Sequence, residues 1–196
     1  MNYVLNDALK RTLGDEGGYS NHHDDRGGET YRGISRKAWP DWDGWRIIDA
    51  AKGVMPNAGP KGLDSYLATQ PALDQLVESF YRANFWPAWM DKLPPALAIE
   101  VFDASVNHGT SRAARMLQHA VNLLNGNGKT TADIAEDGKP GPATLAALDA
   151  VTSKRGLDVV LKCFKLLRGR LFIELCEKDS SQEAFLVGWL NNRVRL

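Results

Sequence analysis

The chain has little cysteine, no surplus of either charge and no long apolar run. Two cysteines occur in 196 residues, and 24 basic side chains are matched by 24 acidic ones, so the formal net charge is zero. Without a basic surplus there is no electrostatic ground for a nucleic-acid partner, and none is expected. Cys163 and Cys176 fall in what reads as one helical run. At helical rise their separation is about 20 Å, out of reach of a disulfide. Two reduced thiols fit synthesis in a reducing compartment. No segment reaches the length of a membrane span, so stable membrane insertion is not expected. The opening MNYVLNDALKR has neither the basic segment nor the apolar stretch of a secretory leader. The protein is therefore expected to be made in the cytoplasm without a signal peptide, and to reach any outside target only after release.

What the chain does have is a polar stretch from Gly14 to Ser35, GDEGGYSNHHDDRGGETYRGIS, which sets five carboxylates, two histidines and two tyrosines among glycines. Upstream, Leu5, Leu9 and Leu13, with Val4 and Ala8 beside them, mark an amphipathic helix from Asn2 to Asp15. The same stripe continued reaches Glu16, and Gly17-Gly18 are expected to stop the helix. A carboxyl there is partly buried and sits at the negative end of the helix dipole. Both oppose ionisation, so Glu16 is expected to titrate high, as a general acid must. From its position alone, an ordinary solvated Glu beside a glycine turn is the other reading. Asp24 and Asp25 follow on a loop, and Gly27-Gly28 turn into ETYRGIS, which reads as a short strand. A carboxyl at a helix end facing a second on a small hairpin is how glycosidases protonate a leaving oxygen while the second group attacks or activates water. His22 and His23 beside these aspartates raise the question of a metal. Adjacent side chains rarely converge on one ion, and no further His or Cys stands at ligand spacing, so neither metal nor cofactor is expected.

EGGYSN followed by DDRGGETYRGIS resembles the signature of the glycoside hydrolase family 108 N-acetylmuramidases, peptidoglycan lysozymes found in phages and bacteria. The resemblance implies a monomeric, endolysin-type enzyme that cleaves the β-1,4 bond between N-acetylmuramic acid and N-acetylglucosamine in cell-wall peptidoglycan. It makes Glu16 the catalytic acid and puts Asp25 at the family's Asp-x-Gly-Gly position. The order Glu, then Asp, then Thr is similar to that of phage-type lysozymes and adds Thr30, with the neighbouring Tyr31 as the alternative for that place. Tyr19 and Asn21 join them as substrate-binding candidates. The family reads Asn-Asp-Pro where this chain has Asn21-His22-His23, and loss of the proline leaves the loop less rigid. A lytic transglycosylase would use the same Glu without a water-activating carboxylate, and a non-catalytic wall binder would need only the cleft and its aromatic side chains. Action at the cell wall or periplasm then requires lysis, a membrane lesion or a dedicated secretion route.

Further along, Ser35 is expected to cap a short helix that Pro40 interrupts. Trp39, Trp42 and Trp45 either stack on sugar faces or cover the core from a loop, with the covering role preferred, and Trp86 and Trp89 share the ambiguity. Residues 49–61 read as a glycine-rich loop. Thr69 and Pro71 open a helix whose Leu73, Leu76, Val77, Phe80 and Tyr81 face a core. A second helix opens at Pro94-Pro95, is apolar nearly all round and ends at Gly109. Its Glu100, Asp103 and Asn107 share one face, which either lines a cleft or is satisfied internally. FDASVNHG resembles a Phe-Asp-x-x-Val-Asn-x-Gly stretch of the same family, which implies that Asp103 and Asn107 bind substrate on a cleft floor. DGKPGPATLAAL resembles the turn of small helical peptidoglycan-binding modules, and Gly141-Pro142 in it is a helix start. A long helix from Leu157 is expected to turn Val160, Leu161, Phe164, Leu167, Leu171 and Leu175 inward. A last one from Ser181 is expected to bury Phe185, Leu186, Trp189 and Leu190. The expected fold is mainly α, a lysozyme-like two-lobed helical fold with a small β-hairpin near the active site. Residues 1–95 form the catalytic lobe and 96–196 the helical lobe, packed as one body because no Pro/Ser-rich linker divides them.

Overall fold

The computed structural model describes residues 3–14, 18–21 and 28–194. The chain divides into two compact units, Met1–Trp86 and Pro87–Leu196. Residues 87–95, expected with the first lobe, cluster with the second unit, where the short 3-10 helix Ala88–Lys92 buries Met90. The architecture is mainly α, with nine α-helices and one three-stranded antiparallel sheet among the described residues.

In the first unit, α1 (Tyr3–Leu13) buries Leu5, Ala8 and Leu9 of the expected stripe together with Thr12, while Val4 and Leu13 are half-buried. The helix stops at Leu13 rather than Asp15. Gly14 takes φ 62°, and its N–H donates back to the Lys10 carbonyl at 3.0 Å. Glycine adopts this left-handed conformation without steric cost. The sheet consists of β1 (Tyr19–Ser20), β2 (Thr30–Tyr31) and β3 (Ile34–Ser35) in that order. Tyr19 pairs with Tyr31, and Tyr31 with Ile34. ETYRGIS is therefore two strands and not one. Arg32 and Gly33 form a two-residue turn with φ 44° and 78°, the doubly positive geometry that suits a tight hairpin. The Tyr81 hydroxyl donates to the Arg32 carbonyl at 2.7 Å, and a Cβ on Gly33 would lie 2.8 Å from the Tyr81 hydroxyl oxygen.

Helices α2 (Gly44–Val54) and α3 (Pro60–Leu67) occupy most of the span that reads as loop. Trp45, Ile48 and Ala51, then Leu63 and Leu67, are buried at helical spacing. Gly53 conceals that period in the sequence; it is exposed, with open space where a side chain would go. α4 (Pro71–Phe85) buries Leu73, Val77, Phe80 and Tyr81. Its N-cap is Gln70, while the Thr69 hydroxyl donates to the Tyr66 carbonyl and closes the end of α3. After β3 there is a turn, not a helix, held by a 2.9 Å bond from the Trp39 N–H to the Ser35 carbonyl. Trp42 stacks beside Tyr31 and meets Trp45 edge-on, Trp39 meets Phe80 edge-on, and the Trp45 indole donates to the Trp39 carbonyl. The tryptophans thus cover the core of this unit, with Trp39 the most open at 40% exposure.

Glu29 ties the sheet to α2. Its carboxylate takes Arg36 Nε at 2.8 Å and the Lys52 ammonium, and Arg36 also forks onto both oxygens of Asp49. The hydrogen bond from Arg36 holds the Asp49 carboxyl below its usual range.

In the second unit, α5 (Pro95–His108) is buried along most of its length, between a proline at its start and Gly109 at φ 86°. It packs with α6 (Thr110–Leu124) and α8 (Leu157–Lys178), while α7 (Pro142–Arg155) begins at Pro142 as Gly141-Pro142 predicts. Amide side chains of α6 stitch down the long loop that follows it. Gln118, 1% exposed, donates to Asp137 at 2.8 Å and accepts from the Gly138 N–H, and Asn122 bonds both the N–H and the carbonyl of Ile134. The DGKPGPAT turn is thereby a structural corner. On α8 the buried positions are Val160, Phe164, Arg168, Gly169, Phe172 and Cys176. Leu161, Leu167, Leu171 and Leu175 are only half-buried. α9 (Glu183–Arg193) buries nothing. Phe185 and Leu190 are 54% and 39% exposed, and Trp189 stacks on Phe172 at 4.9 Å. Cys163 and Cys176 are free, and among the described residues no helix is long and apolar enough to cross a membrane.

Candidate functional site

A cavity of about 550 Å³ opens in the first unit beside the polar stretch. Leu9, Lys10 and Leu13 of α1 form one side of it, Asp74, Val77 and Glu78 of α4 another. Gly14, Gly18, Tyr31, Arg32 and Asp64 complete the lining toward the sheet and α3. The volume is that of a small-ligand site.

Close packing at Gly18 shapes this corner. A Cβ there would lie 2.2 to 2.4 Å from the carboxylate of Asp64, so any other residue would have to displace that carboxylate. The approach lets Asp64 Oδ1 accept the Tyr19 N–H at 2.7 Å. The second glycine of EGGY thus makes room for a carboxylate on α3 that holds the start of β1. Tyr19 in turn has its phenol pushed up, first by burial and then by Glu29, which accepts its hydrogen bond, while Asn21 bonds the same side chain. Of the sequence candidates, Tyr19 thus meets both Glu29 and Asn21, and neither Tyr19 nor Asn21 lines the cavity.

Tyr31 lines the cavity and is 1% exposed, and its buried hydroxyl oxygen has no hydrogen-bond partner among the described residues. Burial raises its phenol pKa, with Arg32 opposing. The Arg32 guanidinium lies 5.7 Å from the ring centroid and pairs with Asp74 at 2.8 Å, so Arg32 is engaged by α4. A buried hydroxyl without a partner costs free energy until something bonds to it, which makes Tyr31 a candidate ligand-binding group of the cavity. Thr30, next along β2, pairs with Ser20 and Ser35 and is not part of the lining.

Asp103 and Asn107 lie in the second unit. Asp103 is 6% exposed, with Arg168 Nη2 at 2.5 Å from one carboxylate oxygen and Arg193 Nη1 at 2.6 Å from the other. The Arg168 contact is close but not aligned as a hydrogen bond. Asn107 donates to the Asp103 carbonyl at 2.7 Å. Of the two readings of this polar face, Asp103 follows the internally satisfied one, and its partners account for a fully buried arginine on α8. Glu16 and Asp25, with His22, His23 and Asp24, lie outside the described residues.

Asp64, Asp74 and Glu78 were not singled out by sequence. Asp74 and Glu78 stand four residues apart beside Val77, a carboxylate pair on the edge of a core stripe, and that spacing is the one available signal. Asp64 has none, since its partner Gly18 is remote in the chain.

The sequence model of the family described as Glycosyl hydrolase 108 matches residues 9–109, half of the chain and all of the polar stretch. The chain belongs to this family. A second model, described as Predicted Peptidoglycan domain, matches residues 112–194. This glycosyl hydrolase 108 protein is therefore a peptidoglycan hydrolase. The solved structure titled "Structure of Brucella abortus SagA" aligns over 100% of this chain and 98% of that one, with TM-score 0.50 and 21% identity, which is a likeness of fold. Among curated proteins no relative matches.

Proposed function

We propose that the protein is an N-acetylmuramidase that hydrolyses the β-1,4 bond between N-acetylmuramic acid and N-acetylglucosamine. Glu16 is the general acid, and Asp25 the carboxylate that activates water or steadies charge at the sugar carbon. The observation that carries this reading is the lining of the cavity. Gly14 and Gly18, which bracket Glu16 in the chain, both line it, and so does Tyr31 on the strand after Asp25. The described residues on either side of Glu16 in the chain thus both border one ligand-sized recess, and Tyr31, six residues after Asp25, borders it too.

The chemistry follows from what a glycosidic bond needs. Its oxygen is a poor leaving group until protonated, so a carboxylic acid gives it a proton as the C–O bond breaks. A second carboxylate then takes a proton from the water that adds to the anomeric carbon. The Tyr31 hydroxyl donates to a sugar hydroxyl or acetamido oxygen, making on binding a hydrogen bond that no described residue supplies. Tyr19 and Asn21 act with Glu29 to hold β1, and Thr30 contributes from the sheet. Asp103 and Asn107 serve the fold of the second unit. The enzyme works as a monomer, is made in the cytoplasm and reaches the wall on release, as an endolysin does. Glu16→Gln should leave the melting temperature unchanged while lowering turnover on purified cell walls at least about a hundredfold. A variant that clears walls as fast as the parent removes Glu16 from the mechanism.

A further inference from the structure

A groove of about 380 Å³ runs between α6 and α8 in the second unit. Each helix presents one face to it at spacings of i, i+3, i+4 and i+7: Arg112, Arg115, Met116 and His119 from α6, and Leu167, Arg170, Leu171 and Glu174 from α8. Met116, Leu167 and Leu171 are half-buried and form an apolar floor. The charged groups above it differ in how far they are committed. Arg170 Nε is paired with Glu174 at 2.7 Å, and His119 Nδ1 lies 2.9 Å from Glu136. Arg112 and Arg115 are exposed and make no ion pair or hydrogen bond among the described residues. Two uncommitted guanidiniums over an apolar strip suit a ligand that alternates carboxylates with small alkyl groups. They do not suit a glycan, because no aromatic ring lines the groove for a sugar face to stack on.

Peptidoglycan contains one component with that alternation. Its peptide stem joins alanine, γ-linked glutamate and a diamino acid, leaving free carboxylates between methyl groups. We propose that the α6–α8 groove binds the peptide stem of peptidoglycan, with Arg112 and Arg115 on its carboxylates and Met116, Leu167 and Leu171 under its alanyl methyls. This rests on peptidoglycan being the substrate. It adds that the second unit reads the peptide while the first acts on the sugar chain.

The test is calorimetry of the full chain with a synthetic stem tetrapeptide, beside a separate assay of cleavage on glycan strands stripped of peptide. The tetrapeptide should bind saturably, and the Arg112→Ala/Arg115→Ala pair should weaken binding at least about tenfold. Arg112→Lys/Arg115→Lys should restore part of it, and a tetrapeptide with its carboxylates amidated should bind the parent as poorly as the Ala pair binds the acid form. Cleavage of peptide-free glycan should be the same in parent and variants. Absence of saturable binding, equal binding of the amidated peptide, or stronger binding of an anionic wall polymer such as teichoic acid overturns the proposal. Failure to cut peptide-free glycan counts against the muramidase reading, and the calorimetry still decides the groove.

Discussion

Gly18→Ala isolates the contact that seats the start of β1. The φ of Gly18 lies outside the left-handed region, so the backbone itself accepts alanine. On that ground alone the change should stabilise by about 0.4–1 kcal/mol, through the unfolded chain. The new Cβ would, however, fall 2.2 Å from Asp64 Oδ1 and 2.4 Å from its Cγ. The short Asp64 side chain can clear it only by turning away, which forfeits the 2.7 Å bond from the Tyr19 N–H. A hydrogen bond to a charged acceptor contributes about 1.5–3 kcal/mol. The net expectation is a loss of about 1–2 kcal/mol, or roughly 2–8 °C in melting temperature for a chain of this size. Activity should fall further, about tenfold or more, because Gly18 lies two residues from Glu16 in the chain and small misplacements are costly in catalysis. Urea unfolding of the four proteins of the Gly18→Ala, Asp64→Ala cycle reads the coupling directly. With Asp64 already alanine there is nothing to strike, so Gly18→Ala should change sign and stabilise. The same loss in both backgrounds would refute the steric argument.

Arg168→Ala should cost about 3–5 kcal/mol in urea unfolding, since it strips a fully buried cation from Asp103, and most of that should return in Asp103→Leu/Arg168→Met. Tyr31→Phe removes a buried hydroxyl with no partner among the described residues, so stability should be unchanged or higher while turnover on cell walls drops; an equal loss of both would mean that the hydroxyl supports the fold instead. Burial, helped by Arg168 and Arg112 against Asp103, lowers the pKa of His108 from 6.5 to about 4. The unfolded chain then binds the proton more tightly, so stability should be full above pH 6.5 and fall as pH drops through about 4, by up to about 3 kcal/mol. In His108→Gln that slope should flatten, and an unchanged slope would assign the loss to other groups.

Where one residue type has one structural consequence, the chain was readable in advance. Leu5 and Leu9 report the buried face of α1, Pro95 and Gly109 bound α5, and Gly141-Pro142 starts α7. Reading faltered where a local signal had a distant cause. Arg32 holds a positive φ that an arginine rarely adopts, because Tyr81 bonds its carbonyl from α4, and so a hairpin turn reads as mid-strand. Arg168 falls four residues after Phe164 on the inward face of α8, yet an arginine is expected outside until Asp103 of α5 is seen to receive it. The apolar side of α9 is plain in Phe185 and Leu190, but a stripe says which face is apolar and not whether anything covers it. At the site, the EGGY motif announced the chemistry, whereas its support from Asp64, Asp74 and Tyr81 came from helices far along the chain.

The muramidase assignment is tested most directly by mass spectrometry of peptidoglycan digested with the parent and with Glu16→Gln. Fragments should carry reducing N-acetylmuramic acid ends, with one water added per cut, and should be at least about a hundredfold fewer with the variant. Anhydro-muramic ends, reducing N-acetylglucosamine ends, or equal yields from both proteins would contradict the account.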